Sequence, residues 1–208
     1  MKQILLLIFT VFLLTSCTGL HKSQPTISTY AFDMQHSPLI EQVPDQPHPY
    51  RKSLLIADAA TPTWLDNTAI HYRLIYHNPS QSYAYANSRW IATPATLLTQ
   101  QIRNRIVTHT PEQVIRDSGI VKADYTLQIE LNEFIQLFDA ADSSHVVVSI
   151  RVSLIEHKSR KVFAQKDFST TESAPSADAA GAVFALSSAS NKLIDELVNW
   201  LTVELPPA

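Results

Sequence analysis

The stretch from Tyr125 to Leu154 constrains the fold most. Tyr125, Leu127, Ile129 and Leu131 alternate with Thr126, Gln128, Glu130 and Asn132. An extended chain sends successive side chains to opposite faces, so this pattern demands a strand with one buried and one wet face. Val146, Val148, Ile150, Val152 and Leu154 repeat it more cleanly. The alternation slips at Glu133-Phe134, where a β-bulge would re-phase the strand. "DAADSS" supplies a hairpin loop, and "HKSRK" turns the chain into "VFAQKDFST". Residues 124–172 are therefore expected to form a three-stranded antiparallel meander, whose apolar face needs a cover.

Two helical patterns supply that cover. Thr93 places a capping hydroxyl before Pro94 at the first helical position. Ala95, Leu98, Ile102 and Ile106 then form one stripe, which Leu97 and Val107 widen. The helix is expected to stop near His109, before Pro111. A longer helix is expected over 178–204, with Leu186, Ala189, Leu193, Leu197 and Leu201 in its stripe and Pro206 after its end.

Upstream, "TISTYAF" and "SLLIAD" have the composition of short strands. In "AIHYRLIYH", Ile70, Tyr72, Leu74 and Tyr76 share one face at period two. "YAYANSRW" reads as an irregular edge, and residues 33–50, with Pro38, Pro44, Pro47 and Pro49, as an extended loop. Strands, helix, strands, helix is the order of an α+β fold: a largely antiparallel sheet with two main amphipathic helices packed on one face.

The chemistry is sparse. There are only three glycines, Gly19, Gly119 and Gly181, too scattered for either common phosphate-cradling loop. The formal net charge is −3 and no basic block stands out, which argues against nucleic acid. Histidines at 21, 36, 48, 71, 77, 109, 145 and 157 lack metal-site spacing and read as surface or edge residues. His71 and His77 flank one strand and lie roughly 20 Å apart along it. Ser187, Ser188 and Ser190 lie in a helical run where small residues permit close packing. The acids Glu130 and Glu133, beside Asn132, and the pair Asp139 and Asp142 fall on a wet face and in a turn. No cofactor, metal or catalytic set is expected, and an envelope hydrolase is the least supported class.

Cys17, the only cysteine, ends "LTSC" after an apolar run at 4–14 that only Thr10 interrupts. Lys2, the apolar run and small residues follow the order of a secretory signal, too short for the roughly 20 residues that span a bilayer. The tetrapeptide resembles the bacterial lipobox. That resemblance implies a signal peptide over 1–16, acylation at Cys17, palmitate included, a tether over 17–26 and one domain over 27–205. Acyl chains add about 0.8 kcal/mol of membrane affinity per buried CH2. Trp90, just before Pro94, is expected to staple the helix entrance onto the sheet. Beside Arg89 it also has the composition of an interaction surface.

These features together resemble the ABC-type transport auxiliary lipoproteins, the PqiC/YmbA-like group. The match runs from Cys17 through Tyr30-Ala31-Phe32, Trp64-Leu65-Asp66, Tyr72-Arg73 and the Trp90-to-Pro94 helix start. It ends in "AGAVFALSSASNKLIDELVNWL" at Trp200-Leu201. The family often carries an acid between that tryptophan and proline; here the slot holds Ala92-Thr93. The resemblance implies a non-enzymatic periplasmic lipoprotein that serves an MCE-type ABC system for lipids or hydrophobic solutes. An MCE-domain protein would be its partner, and homo-oligomerisation is left open. Thr18 in place of aspartate after Cys17 implies sorting to the outer membrane. The alternative is another envelope assembly lipoprotein, a cell-wall synthase activator or an outer-membrane protein chaperone.

Overall fold

The computed structural model describes residues 26–32, 52–110, 113–115 and 122–205. Cys17 with its leader and most of its tether, the 33–50 loop, Gly19, Gly119 and Pro206 lie outside them. The meander is present as β6 (Tyr125–Ala140), β7 (Ser143–Glu156) and β8 (Lys161–Ser173), paired antiparallel throughout. Leu131 faces Ile150 while Glu133 faces Ser149, so one residue, Asn132, is extra on β6. The inward set accordingly switches from Tyr125, Leu127, Ile129 and Leu131 to Phe134, Gln136 and Phe138, all buried. The β7–β8 turn closes with Arg160 in the left-handed region at φ 57°.

Beyond the meander the sheet is mixed, which corrects the largely antiparallel expectation. Strand β2 (Ser53–Ile56) pairs parallel with the start of β6, and β3 (Ala69–Leu74) pairs parallel with its end. One edge of β6 is long enough to seat both. Strand β4 (Ser82–Trp90) lies antiparallel on β3, and β1 (Ser28–Tyr30) parallel on β4. Thus "YAYANSRW" is a paired strand with a register shift rather than an irregular edge. A short strand absent from the sequence reading, β5 (Gln113–Ile115), lies parallel beside β2. Tyr76 is 51% exposed, because β3 ends at Leu74 and His77 and Asn78 donate back to the Leu74 carbonyl at 3.0 and 2.9 Å.

Helix α1 (Pro94–His109) starts where the capping pattern places it, Thr93 Oγ1 accepting from the Thr96 N–H at 3.3 Å. Its buried stripe is Ala95, Leu98, Thr99, Ile102 and Ile106. Val107 lies outside that stripe, 53% exposed. Thr99 fits inside because its hydroxyl donates to the Ala95 carbonyl at 2.8 Å and accepts the Ala59 N–H at 3.0 Å. Helix α2 (Ala179–Glu204) is capped by Asp178, whose carboxylate accepts the Gly181 N–H at 2.8 Å. Both helices bury their stripes in the same core as the inward faces of the strands. Each fully buried leucine or isoleucine there contributes about 1.5–3 kcal/mol.

Candidate functional site

Two grooves gather polar groups on the described surface. The first, about 640 Å3, runs between α1 and α2 beside the end of β1. Arg105 on α1 reaches across to an ion pair with Asp195 on α2 and donates to Asn191 Oδ1 at 3.5 Å. Ser187 lines the groove 5% exposed, and its Oγ has no hydrogen-bond partner among the described residues. Phe184 stands at the groove 66% exposed. The lining holds no histidine or cysteine, and its ionisable groups Arg105, Lys192 and Asp195 are each held in an ion pair. What the groove offers is a hydroxyl, an ion pair and an apolar rim.

The second groove, about 670 Å3, sits at the end of the sheet where β6 begins and β7 turns into β8. Lys52, Lys122, Lys158 and Arg160 line it with His157, Asp124 and Glu156. Asp124 is satisfied by neutral donors: the Ser53 N–H and hydroxyl both donate to its carboxylate at 2.8 Å. Those bonds, the backbone one first, hold the carboxyl below its ordinary value. Sequence reading missed this groove because its cations come from three separate segments. The one local signal, "HKSRK", reads as a turn.

The residues singled out in sequence do not converge. Trp90 is 1% exposed, its ring packed edge-on against Phe32 at 5.3 Å and Phe134 at 5.6 Å. Its backbone N–H donates to the Thr68 carbonyl at 2.7 Å. Pro94 is buried in the first turn of α1, whereas Arg89 is exposed to solvent. Asp167 and Asp139 are each held by a cross-strand neighbour. Arg151 donates to Asp167 through Nε at 2.7 Å and Nη2 at 2.9 Å, opposite Glu130 in the register. Asp139 lies 2.7 Å from His145 near the β6–β7 hairpin.

His71 is partly buried rather than a surface residue. It sits 3.2 Å from Asn67 Oδ1 and edge-on to Trp64, and burial keeps its imidazole below the ordinary value. The Arg73 guanidinium lies over the same Trp64 ring, 5.8 Å from its centre. The Trp64-Leu65-Asp66 and Tyr72-Arg73 segments thus meet, with Leu65 fully buried beneath. Among the described residues no group of three His, Cys, Asp or Glu side chains has the geometry to hold a metal ion.

The model of the family described as the ABC-type transport auxiliary lipoprotein component matches residues 34–198. The chain belongs to that family. Membership makes it a lipoprotein-family component auxiliary to ABC-type transport, with a transporter as its implied partner and a membrane-anchored place in the envelope. No curated protein matches the chain. Protein XCC0632 from Xanthomonas campestris has a similar structure, with a TM-score of 0.67 at 18% identity over 86% of this chain and 94% of that one. An uncharacterized protein gives 0.63 at 15% identity over 85% and 99%. The hypothetical protein CT253 from Chlamydia trachomatis gives 0.52 at 11% over 74% and 96%. At these identities the likeness is one of fold alone.

Proposed function

We propose that the chain is a non-catalytic adaptor, lipid-anchored through Cys17 in the outer membrane and facing the periplasm. There it would dock the MCE-domain protein of an ABC system that moves lipids or hydrophobic solutes. The family match over residues 34–198 carries this reading. The local chemistry supports it: Asp178 caps α2, Asp167 pairs with Arg151 across strands, Asp139 with His145, and the Ser190 hydroxyl donates within α2, so these groups are not gathered around one reacting centre. The groove between α1 and α2 has the mixed character of a protein contact, with an exposed Phe184 beside the Arg105–Asp195 pair. Self-association into a homo-oligomer is compatible with the same role.

Affinity capture of the lipidated protein from solubilised envelopes tests the proposal. The expected co-purifying species is an MCE-domain protein with its permease and ATPase. Recovery of a cell-wall synthase or an outer-membrane protein in its place would assign the chain to envelope assembly instead.

A further inference from the structure

The basic groove is fixed in shape by short backbone bonds among its three segments. The His157 N–H donates to the Asp124 carbonyl at 2.9 Å, and the Asp124 N–H to the Ser53 carbonyl at 3.0 Å. Its cations therefore flank strand ends that these bonds hold together. Among the described residues none of Lys52, Lys122, Lys158 and Arg160 forms an ion pair, whereas Arg103, Arg105, Arg151 and Lys192 elsewhere each hold a carboxylate. The two acids of the groove do not cancel the four cations, and Asp124 is already turned to Ser53. In a chain of formal net charge −3, positive charge is thus concentrated at one end.

We propose that this end of the sheet is a docking surface for a bilayer bearing anionic phosphate headgroups. Charge alone would fit an acidic protein equally well; the neighbouring residues decide for the bilayer. Directly after the basic turn, Val162 and Phe163 are 57% and 48% exposed, the Phe163 ring edge-on to Tyr125 at 5.8 Å. Lysines and arginines around an exposed aromatic and a valine match a headgroup layer. The amines meet phosphates while the apolar side chains enter the acyl boundary.

The surface is also distinct from the place where the chain enters the fold. β1 lies beside β4, with Ser28 opposite Ser88, and the β4–β3–β6 registers place that strand level with the middle of β6. The basic end lies where β6 begins and β7 ends. The inference therefore does not rest on Cys17 or on the transporter reading.

A reporter at Ser159, in the exposed turn between Lys158 and Arg160, tests it without interference from an acyl anchor. The full chain carrying Cys17→Ser and Ser159→Cys, so that residue 159 bears the sole thiol and no acyl anchor forms, is labelled there with an environment-sensitive fluorophore and mixed with vesicles of phosphatidylcholine alone or with a third phosphatidylglycerol. The expected result is a fluorescence rise only with phosphatidylglycerol, reversed by high salt. Each cation neutralised should weaken the response roughly fivefold, so Lys158→Gln with Arg160→Gln nearly abolishes it. Circular dichroism checks that the double variant is folded, and Lys166→Gln, outside the groove, serves as the control that keeps the response. An equal signal with both vesicle types, or one that survives the double substitution, would overturn the proposal. So would a rise with soluble polyglutamate and none with vesicles, which would assign the surface to an acidic protein.

Discussion

Trp90 illustrates how a single side chain can carry tertiary information. Its indole closes a cluster with Phe32 and Phe134, so that β1, β4 and β6 meet at one buried point. Trp90→Ala should cost about 3–5 kcal/mol of unfolding free energy, because three strands surround the cavity and cannot all collapse into it. Arg89→Ala, one position earlier and exposed, should change stability by less than about 0.5 kcal/mol. Urea denaturation of the two variants checks the contrast. Gln136 makes the opposite kind of point. It is fully buried, accepts from the Tyr85 hydroxyl at 2.7 Å and donates to Ser144 Oγ at 2.8 Å. Burial also pushes the Tyr85 phenol up, which keeps it a neutral donor. Gln136→Leu should cost about 1–3 kcal/mol by stranding those two hydroxyls. Adding Tyr85→Phe and Ser144→Ala should recover part of the loss in the same denaturation measurement. In the sequence Trp90 was readable as an aromatic at a helix entrance, but Phe32 and Phe134 as its partners were not. Gln136 falls on the inner face only because the Asn132 bulge re-phases β6.

At the scale of elements, what local pattern dictates was legible and what pairing dictates was not. The meander, the bulge and both helix starts follow from periodicity and capping chemistry within a few residues. The parallel seats of β2 and β3 along one edge of β6 depend on how connections return to the sheet, which no local window records. Strand β5 has only three residues and no alternation to betray it. The start of α2 gives two predictions. A Cβ on Gly181 would lie 2.1 Å from the Ser176 carbonyl oxygen and 2.6 Å from its hydroxyl. Gly181→Ala should therefore destabilise by about 1–3 kcal/mol, although alanine is intrinsically the better helix former by about 1 kcal/mol. A melting temperature that rises would refute this. Asp178→Ala should cost about 1 kcal/mol at neutral pH through loss of the cap. The Gly181 N–H, and then the Ser176 hydroxyl, hold the Asp178 carboxyl below its ordinary value. A depressed folded value stabilises fully above the unfolded carboxylate pKa of about 4 and fades as pH falls through the folded value. The gap between wild type and Asp178→Ala should thus be constant near neutrality and close on acidification below about pH 4. Urea midpoints measured across that range check it, and Asp124 acts in the same direction at the other end of the sheet.

At the scale of the whole molecule, attachment and folding are expected to be separable. Among the described residues the core draws on segments from Phe32 to Leu205, and no helix is long and apolar enough to cross a membrane. The basic end of the sheet would add contact with headgroups through screened charge, which high salt removes. Acyl chains on Cys17 would hold through apolar burial, which salt does not weaken. The two modes therefore separate experimentally. Cys17→Ser should abolish palmitate labelling, leave an unprocessed longer form and remove the protein from the outer-membrane fraction at high salt, where the basic end no longer holds. The unfolding free energy of the domain should stay within about 0.5 kcal/mol of wild type if Cys17 belongs to a tether rather than to the domain. Palmitate label retained by the Cys17→Ser variant would place the acyl group elsewhere and overturn the anchor. A large loss of stability would mean that the segment before β1 belongs to the folded domain rather than to a tether.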